Sequence, residues 1–433
     1  MNNKEFSKIK YYDVWGLRKD KYNFLESHDV KNTKWQELEL KEPRYFFVPK
    51  DLTGEKKYNR FLSVKDIFYY FQAGVTTGQD KLFVDMNYQS LQIRMLQIFN
   101  KSANNEELKL LFKLDSQAGK KLLENRDKIN FKETLLKSYS YRVFDIRYFY
   151  PENKFLWRSV EKLQQQFSKE NIVMVTTKSL STNLFRHIFI TKNIGDYSFI
   201  SDKTREVNYY FPLYLYESNQ KFIFKGQKRL DIDGVQKKLG ESQENKRPNI
   251  KKEIFDLLGD KYKKAITPEG IFYYIYAVLY SNIYRKKYNE FLKIDFPKIP
   301  FTKDEKMFFK MSAFGKELVN LHLLKLPKLE KPIAKFSVTG DSQVKKREYQ
   351  EKEKRIYIND KQYFEKIEPE VWNYYIGGYQ VMDKWLKDRI GSALSPKDVN
   401  HYLKVITALK YTIDLQEQID KIYSSIEGKL IEE

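Results

Sequence analysis

Apolar residues recur at two spacings along the chain, and each spacing predicts one kind of element. Alternation of apolar and polar positions predicts strands over Lys8–Trp15, Val143–Tyr150, Ile172–Thr176, His187–Thr191, Tyr209–Tyr216 and Phe222–Phe224. Recurrence every three or four residues predicts helices over Lys19–Leu25, the region from Tyr88 to Leu136, Ile254–Leu258, Pro268–Phe291, Lys303–Leu324, Gln380–Ile390 and Pro396–Ile426. We therefore expect an α+β fold, with a β-rich domain flanked by helical segments and a long C-terminal helix.

Shorter segments are placed between these elements. Strands are predicted over Phe46–Pro49, Lys81–Val84, Ala334–Thr339 and Arg355–Asn359, a strand or helical turn over Val64–Phe71, and loops over Gly74–Asp80 and Gln227–Pro248. A run of charges between Asp341 and Lys354 precedes the Arg355–Asn359 strand. This run is either the solvated tip of a hairpin or a hairpin that contacts DNA.

Composition narrows the classes of function. Lys and Arg number 79 against 58 Asp and Glu, which gives a formal net charge of +21. A surplus of this size attracts polyanions, among which nucleic acid is the most available to a soluble protein. The chain has no cysteine, which excludes a disulfide scaffold and a thiolate metal site and suits a reducing cytoplasm. The longest apolar run, Ile271–Tyr280, is about half of a membrane span, so we expect no membrane partner and a cytoplasmic location.

No catalytic signature is recognisable in the chain. It has no Pro-Pro pair, as an amino-methyltransferase requires, no Gly-x-Gly fingerprint and no phosphate-binding Gly-x-x-x-x-Gly-Lys loop. Its four histidines are far apart in sequence, so we predict no metal site. Three acid-x-Lys triplets, which form half of a nuclease motif, begin at Glu39, Glu107 and Glu152, a number expected by chance in a chain this charged. Whether the chain is an enzyme is left open by these patterns.

Several long stretches together resemble one family. They are Gly74–Asp80 with Phe83 and Val84, Tyr141–Tyr148 (with Val143 where proline is usual), Phe211–Leu215, Ile266–Phe301 and Trp372–Lys387. These resemble the C-terminal target-recognition, or specificity, region of Type ISP restriction-modification enzymes and related adenine-specific DNA methyltransferases. The resemblance extends over roughly Tyr11 to Leu415.

The resemblance implies a larger system with a helicase-like motor, a nuclease and an adenine methyltransferase. Residues 1–45 would be the end of a methyltransferase domain and a linker, 46–330 a target-recognition domain with helical segments at 88–136 and 254–324, and 331–433 a β-hairpin with a helical subdomain. No complete catalytic α/β domain is expected. S-adenosylmethionine, ATP and magnesium are implied for the complete system and no cofactor for this chain. The implied partners are double-stranded DNA and a methyltransferase and nuclease polypeptide or N-terminal region.

Candidate DNA-binding residues lie on predicted loops and strand ends, where cations can reach phosphates and forked donors can reach base edges. They are Thr76, Thr77, Gln79, Arg142, Arg147, Lys178, Ser179, Arg186, Lys192, Arg285, Lys286 and Lys287. We expect Arg142 or Arg186 to read bases and Lys286 and Lys287 to face phosphates. Structural alternatives are that the threonines close a turn, that Arg147 pairs with Asp145 and that Gly377 and Gly378 form a tight turn.

Three functions are compatible with these observations. The first is a module that recognises duplex DNA and positions a separate methyltransferase and nuclease. The second is a stand-alone protein that binds RNA or single strands and uses tyrosines as stacking platforms. The third is an enzyme with an unrecognised site, marked by a strongly shifted carboxylate in a pocket.

Overall fold

The computed structural model describes residues 8–42, 44–158, 160–181, 184–201, 203, 206–216 and 246–431. Two compact units are distinguished, residues 1–55 and residues 56–433. The predicted strand Phe222–Phe224 and nearly all of the predicted loop Gln227–Pro248 lie outside the described residues. The predicted domain boundaries at 45 and 330 stay predictions.

The strands are short, and every ladder between them in the described ranges is antiparallel. They are β1 (Ile9–Tyr11), β2 (Gln36–Leu38), β3 (Leu62–Ser63), β4 (Gln72–Ala73), β5 (Val84–Asp85), β6 (Lys137–Arg142), β7 (Asp145–Phe149), β8 (Val173–Thr177), β9 (Ile188–Thr191), β10 (Asn208–Pro212), β11 (Tyr214–Tyr216), β12 (Lys246–Pro248), β13 (Lys298–Ile299), β14 (Glu348–Gln350), β15 (Arg355–Tyr357), β16 (Tyr363–Glu365), β17 (Tyr375–Ile376) and β18 (Tyr379–Gln380).

The helices occupy more of the chain than the strands. They are α1 (Arg18–Ser27), α2 (Glu55–Asn59), α3 (Val64–Ile67), α4 (Asp80–Phe83), α5 (Tyr88–Phe99), α6 (Asn105–Phe112), α7 (Gln117–Arg126), α8 (Glu161–Gln165), α9 (Lys252–Tyr262), α10 (Pro268–Tyr280), α11 (Asn282–Lys287), α12 (Asn289–Leu292), α13 (Glu305–His322), α14 (Pro369–Trp372), α15 (Val381–Lys387) and α16 (Pro396–Ile426), with 3₁₀ turns at Glu133–Leu135, Pro327–Glu330 and Glu351–Glu353. None of the helices in the described ranges combines the length and hydropathy needed to cross a lipid bilayer. The mixture of helices and small sheets confirms the predicted α+β class.

The first unit is a small β-hairpin and helix with little interior. Strands β1 and β2 pair with Ile9 opposite Leu38, and α1 lies between them in sequence. The helix begins where Asp20 accepts a hydrogen bond from the Leu17 amide at 2.9 Å, and it has no buried residue. Trp15 and Leu17 are about four-fifths exposed.

Two antiparallel sheets form the β part of the second unit. One has the order β4-β10-β8-β9, and the other has the order β5-β7-β6. Single parallel bridges join Val75 to Asp196 and Ser140 to Gly195, so the segment around Asp196 connects the two sheets. The side chains of β8 and β9 are buried throughout, as expected for strands covered on both faces.

Three helices pack against this β part. The α10 helix starts at Thr267, whose side chain accepts a hydrogen bond from the Gly270 amide, and nine of its thirteen residues are buried. His322 at the end of α13 lies 2.8 Å from the Tyr276 hydroxyl and 3.0 Å from the Thr412 hydroxyl, so it joins α10, α13 and α16. Burial, with a contribution from Arg285, lowers the pKa of His322 to about 3, so the imidazole stays neutral in this contact.

The predicted strand Val143–Tyr150 is wrong at its start. Residues Val143 and Phe144 form the turn of a hairpin between β6 and β7, and Phe144 has a φ of 57°. The turn places Arg142 opposite Asp145 across the hairpin. Sequence alternation alone missed it because Phe144 is a bulky residue that rarely adopts a left-handed conformation.

Other short predictions also differ from the structure. The segment predicted as strand Lys81–Val84 is the helical turn α4 followed by β5, since Thr77 and Asp80 start a turn there. The predicted strand Tyr209–Tyr216 is divided at Leu213 into β10 and β11, which pair with different partners. Phe46–Pro49 is not a strand, and Ala334–Thr339 has one bridge, at Lys335. Isolated apolar runs of this length lack the cross-strand partner that makes a strand stable.

The charge run between Asp341 and Lys354 forms a hairpin in which β14 pairs with β15. Four of its five cations are matched by carboxylates: Lys345 with Asp341, Lys346 with Glu348 and Asp360, Arg347 with Asp383, and Lys354 with Glu368. This pairing favours the solvated hairpin over the DNA-contacting one.

Gly377 is predicted to be the most sensitive glycine of the C-terminal region. Its φ is 60°, and an added Cβ would lie 1.7 Å from the Ile200 carbonyl oxygen. We expect Gly377→Ala to lower the free energy of unfolding by the left-handed strain, about 1–2 kcal/mol, and by about 1–3 kcal/mol more for the clash. Urea unfolding measures both contributions.

Gly391→Ala is the matched control. Gly391 also has a positive φ, 84°, but nothing lies within 4 Å of an added Cβ. The control is expected to lose the strain contribution alone. Equal losses in the two variants would contradict the close approach of Gly377 to Ile200.

Candidate nucleic-acid interface

The β8–β9 loop, whose described residues are 178–181 and 184–187, carries three of the predicted site residues. Lys178 and Ser179 are exposed directly after β8, and Arg186 is half-buried just before β9. The backbone of the loop is anchored on the α12 region: the Leu180 amide donates to the Lys293 carbonyl at 3.1 Å, and the Phe185 amide donates to Asn289 Oδ1 at 3.1 Å. The described ends of the loop are therefore anchored by hydrogen bonds, with Lys178 exposed and Arg186 half-buried.

Glu206 anchors the same loop from a third position in the sequence. Its Oε1 accepts hydrogen bonds from the Ser181 amide at 2.8 Å and the Ser181 hydroxyl at 2.7 Å. Its Oε2 lies 3.2 Å from His187 Nε2, an ion-pair distance without the alignment of a hydrogen bond. Burial acts to raise the pKa of Glu206, but His187 and the Ser181 donors outweigh it and lower the pKa to about 2.

The turn between β17 and β18, which lies in the C-terminal part of the chain, contacts the β8–β9 loop at Arg186. The Gly377 amide donates to the Arg186 carbonyl at 2.7 Å, and the Gly378 amide donates to the Ile200 carbonyl at 3.0 Å. The Arg186 guanidinium lies 5.0 Å from the centre of the Tyr375 ring, which is 37% exposed. The tight-turn interpretation of the two glycines agrees with this geometry, and the turn aligns an aromatic ring with an arginine.

The α11 helix carries three predicted DNA-binding cations, which differ in their exposure to solvent. Tyr284 and Tyr288 are fully buried, and Arg285 is also buried, with its Nε donating to the Leu279 carbonyl at 2.6 Å. Lys286 and Lys287 are exposed, and Lys287 pairs with Glu427. Arg285 thus differs from the expectation that all three cations face outward, because the helical period turns its side chain toward the Tyr280 ring.

Arg142 and Arg147 are held inside the protein by carboxylates. Arg142 Nη1 lies 2.8 Å from Asp196 Oδ1, and Arg147 Nη2 lies 2.8 Å from Asp145 Oδ2; each arginine side chain is 14% exposed. Both guanidiniums also lie over the Tyr141 ring, at 4.0 and 3.7 Å. These contacts give both residues a structural role, as the alternative for Arg147 proposed.

The remaining predicted residues lie at the same end of the β part as Arg142 and Arg147. Thr77 is buried, donates to Asp80 and accepts from the Gln79 amide, so it closes the turn before α4. Gln79 Nε2 donates to Ser116 Oγ at 2.5 Å, and Thr76 is half-buried. Lys192 is exposed at the end of β9 opposite to Arg186.

The structure thus brings together Lys178, Ser179 and Arg186 on one loop. This loop contacts Asn289 and Lys293, which follow Lys286 closely in the sequence. Among the other predicted residues, Thr77 closes a turn, Arg142 and Arg147 are paired with acids, and Lys192 lies at the opposite end of β9. Sequence reasoning missed Tyr375 and the exposed Leu184, although the glycine pair at 377–378 marked a turn beside Tyr375. Within the described ranges, no three His, Asp or Glu side chains are placed to hold a metal ion.

A family model described as the Type ISP C-terminal specificity domain matches residues 66–418. This match covers well over half of the chain, so the chain belongs to the Type ISP C-terminal specificity domain family. The resemblance inferred from the sequence motifs is confirmed. A search of curated proteins found no match.

Three solved structures share the fold. They are a nuclease-deletion mutant of the Type ISP restriction-modification enzyme LlaGI with a DNA substrate mimic (TM-score 0.69, 19% identity, 96% of this chain and 33% of that one), the DrdV–DNA complex (TM-score 0.71, 19% identity, 98% and 44%) and the ATP-dependent Type ISP enzyme LlaBIII bound to DNA (TM-score 0.67, 19% identity, 89% and 25%). The chain therefore spans between a quarter and less than half of the length of these proteins.

Arg142→Ala is predicted to act on stability rather than on base choice. The substitution leaves the Asp196 carboxylate, 8% exposed, without its guanidinium partner. Removing one partner of a buried ion pair costs about 3–5 kcal/mol, so we expect a loss of that order in the free energy of unfolding, measured with urea. Lys192→Ala removes an exposed cation from the same region and is expected to change stability by about 0.5 kcal/mol or less. Full stability of Arg142→Ala, with relaxed choice at one base pair, would restore the base-reading interpretation.

Glu206 is predicted to make the free energy of unfolding depend on pH in the acidic range. Because its pKa is lowered from 4.5 to about 2 in the folded state, its contribution is complete above the unfolded pKa and is lost as pH falls through the folded pKa. We expect Glu206→Gln to be less stable than wild type at neutral pH by up to about 3 kcal/mol, and the difference to vanish between about pH 4.5 and 2. Denaturant unfolding at a series of pH values measures this difference.

Glu170→Gln serves as the control for that experiment, because the Glu170 side chain is 83% exposed. Its unfolding free energy is expected to follow the wild-type curve at every pH. A difference between wild type and Glu206→Gln that does not vary with pH would show that the carboxylate charge has no part in holding the loop.

Proposed function

We propose that this chain recognises a specific sequence in double-stranded DNA and positions an adenine methyltransferase and a nuclease that lie outside it. The observation that carries the proposal is the β8–β9 loop, where the exposed Lys178 and the half-buried Arg186 lie on a backbone held at four points. Anchored loop ends that carry cations without an acidic partner suit recognition, because little conformational freedom is lost there on binding. Family membership supports the same function, and the three structural neighbours are complexes with DNA or a DNA substrate mimic.

The complete system is part of the proposal. S-adenosylmethionine, ATP and magnesium would serve the methyltransferase, motor and nuclease, and the chain described here would supply target choice. The partner polypeptide or N-terminal region would carry those activities, and the system would act on DNA in the cytoplasm. The length of the solved relatives, two to four times that of this chain, supports this division of labour.

The other two functions are less well supported by the geometry. Many of the tyrosines that could have served as stacking platforms for single strands are instead part of the core, namely Tyr274, Tyr276, Tyr280, Tyr284 and Tyr288. An unrecognised enzyme would place a shifted carboxylate in a cleft. Burial raises the pKa of Asp196, but this carboxylate pairs with Arg142 inside the protein.

Selection from a pool of random duplexes tests the proposal. We expect the chain to enrich one short sequence and to bind all duplexes less tightly as salt rises. A protein that neutralises six to ten phosphates loses on the order of a thousandfold or more in affinity between about 50 and 200 mM salt. Replacement of the exposed Lys286 by Ala should weaken binding to every sequence and make the salt slope shallower by about one.

Lys287→Ala is the matched variant, because Lys287 already pairs with Glu427 and should release fewer counterions when it contacts DNA. We expect a smaller change of slope than for Lys286→Ala. Tighter binding to single strands than to duplex would favour the second function. Affinity that is insensitive to salt would reject nucleic-acid binding altogether.

A further inference from the structure

Most of the described arginines that are shielded from water are paired with acids. Seven buried or half-buried arginines have a carboxylate within ion-pair distance, namely Arg94, Arg126, Arg142, Arg147, Arg347, Arg355 and Arg389. This pattern is expected, because a shielded charge without a counter-charge is costly. Exceptions to it therefore call for a physical explanation.

Arg186 and Arg285 are two exceptions, and they are neighbours. No carboxylate of a described residue lies within ion-pair distance of either guanidinium. Arg186 stacks on Tyr375, and Arg285 lies 4.5 Å from the centre of the Tyr280 ring. Arg285 is 9% exposed, and its buried Nη2 has no hydrogen-bond partner.

The two positive charges act on each other and on the groups around them. Burial and the charge of Arg285 lower the pKa of Arg186. Arg285 also contributes, after burial, to the low pKa of His322. Burial raises the pKa of Tyr374 to about 12, against the opposing effect of both arginines. Each guanidinium is therefore exposed to the charge of the other, while no carboxylate of a described residue contacts either of them directly.

The backbone keeps these charges close in spite of their repulsion. The Tyr280 hydroxyl donates to the Ile188 carbonyl at 3.1 Å, which ties the residues after Arg186 to the helix beneath Arg285. The Gly377 amide holds the Arg186 carbonyl from the other side. A neutral acceptor on a base edge would leave the repulsion in place. A phosphate carries a negative charge and several acceptor oxygens, so it offsets the repulsion and accepts the guanidinium donors.

We propose that Arg186, supported by the charge of Arg285, binds one phosphate of the DNA backbone at the β8–β9 loop. This inference rests on the proposed function for its ligand and changes the expected role of Arg186 from base reading to phosphate binding. Tyr375 holds the Arg186 side chain in place, and Arg285 acts through Arg186 as a positioning residue. Such a contact fixes the register of the protein on the duplex and carries no base preference of its own.

Binding of the full chain to a set of duplexes of different sequence, over a range of salt concentrations, tests the role of Arg186. We expect Arg186→Gln to weaken binding to every duplex by the same factor and to make the salt slope shallower by about one. Lys310→Gln, which removes an exposed and unpaired charge on α13, should leave affinity and slope unchanged. Weakening confined to duplexes with one base at one position would show base reading and overturn the proposal, as would no change at all.

The role of Arg285 is tested by measuring how its substitution changes the melting temperature and the affinity for DNA. Because Arg285 has no carboxylate in ion-pair contact in the free protein, Arg285→Met should lower the melting temperature by no more than the loss of its hydrogen bond to the Leu279 carbonyl accounts for, while DNA affinity falls and the salt slope becomes shallower. Arg285→Lys keeps the charge and should retain more of the affinity than Arg285→Met. A lower melting temperature with unchanged affinity in both variants would assign Arg285 a structural role and overturn its part in the proposal.

Inorganic phosphate at constant ionic strength separates the possible sources of the anion. We expect it to raise the melting temperature of wild type and not of Arg186→Gln, and to compete with DNA for wild type. Stabilisation by phosphate with unaltered DNA binding in Arg186→Gln would assign the site to a free anion and overturn the DNA assignment. A wild-type chain without sequence preference would reject the proposed function, yet the common loss in Arg186→Gln would still support a backbone contact.

Discussion

The α10 helix has no face left for solvent, and the remainder of the second unit is arranged by that constraint. Nine of its residues from Ile271 to Tyr280 are buried, so the sheet, α13 and α16 must cover it from different sides. Burial of this much apolar and aromatic surface is the largest favourable contribution available to a fold of this kind. The hydroxyls of its buried tyrosines need hydrogen-bond partners, which the surrounding elements supply. The Tyr276 hydroxyl bonds to His322, and the Tyr280 hydroxyl donates to the Ile188 carbonyl.

The same helix determines where the candidate interface lies. Tyr280 fixes the start of β9 and thereby Arg186, while the Leu279 carbonyl accepts from Arg285. Residues from three separate parts of the chain then contact the β8–β9 loop: Glu206, the α12 region with Asn289 and Lys293, and Gly377. These contacts hold the described ends of the loop, and no carboxylate of a described residue lies within ion-pair distance of Lys178 or Arg186.

Long periodic segments were well predicted from the sequence, and short ones were not. The predicted bounds of Pro396–Ile426 are those of α16, because Ser395 and Asp398 form a capping box and the apolar stripe extends over the whole helix. The β6–β7 turn was missed because a phenylalanine such as Phe144 gives no local signal for a left-handed conformation. The division of Tyr209–Tyr216 into two strands was missed because the sequence of one segment does not show which strands it pairs with. Of the predicted site residues, Lys178, Ser179 and Lys286 are exposed and Arg186 is half-buried, whereas Arg142 and Arg147 are engaged by acids. Their contact with DNA stays a prediction.

The sequence by itself determined the family, the α+β class, the positive surplus and the set of cations from which an interface could be built. Those properties depend on composition, periodicity and local motifs, and each can be evaluated without knowing which residues are neighbours. Which cations are neutralised was decided by tertiary structure, since Asp196 is 54 residues from Arg142 along the chain yet 2.8 Å away in space. Tertiary structure likewise decided that no described carboxylate lies within ion-pair distance of Arg186 or Arg285. Charge pairing is a property of distance, and in this fold distance is set by the packing around α10.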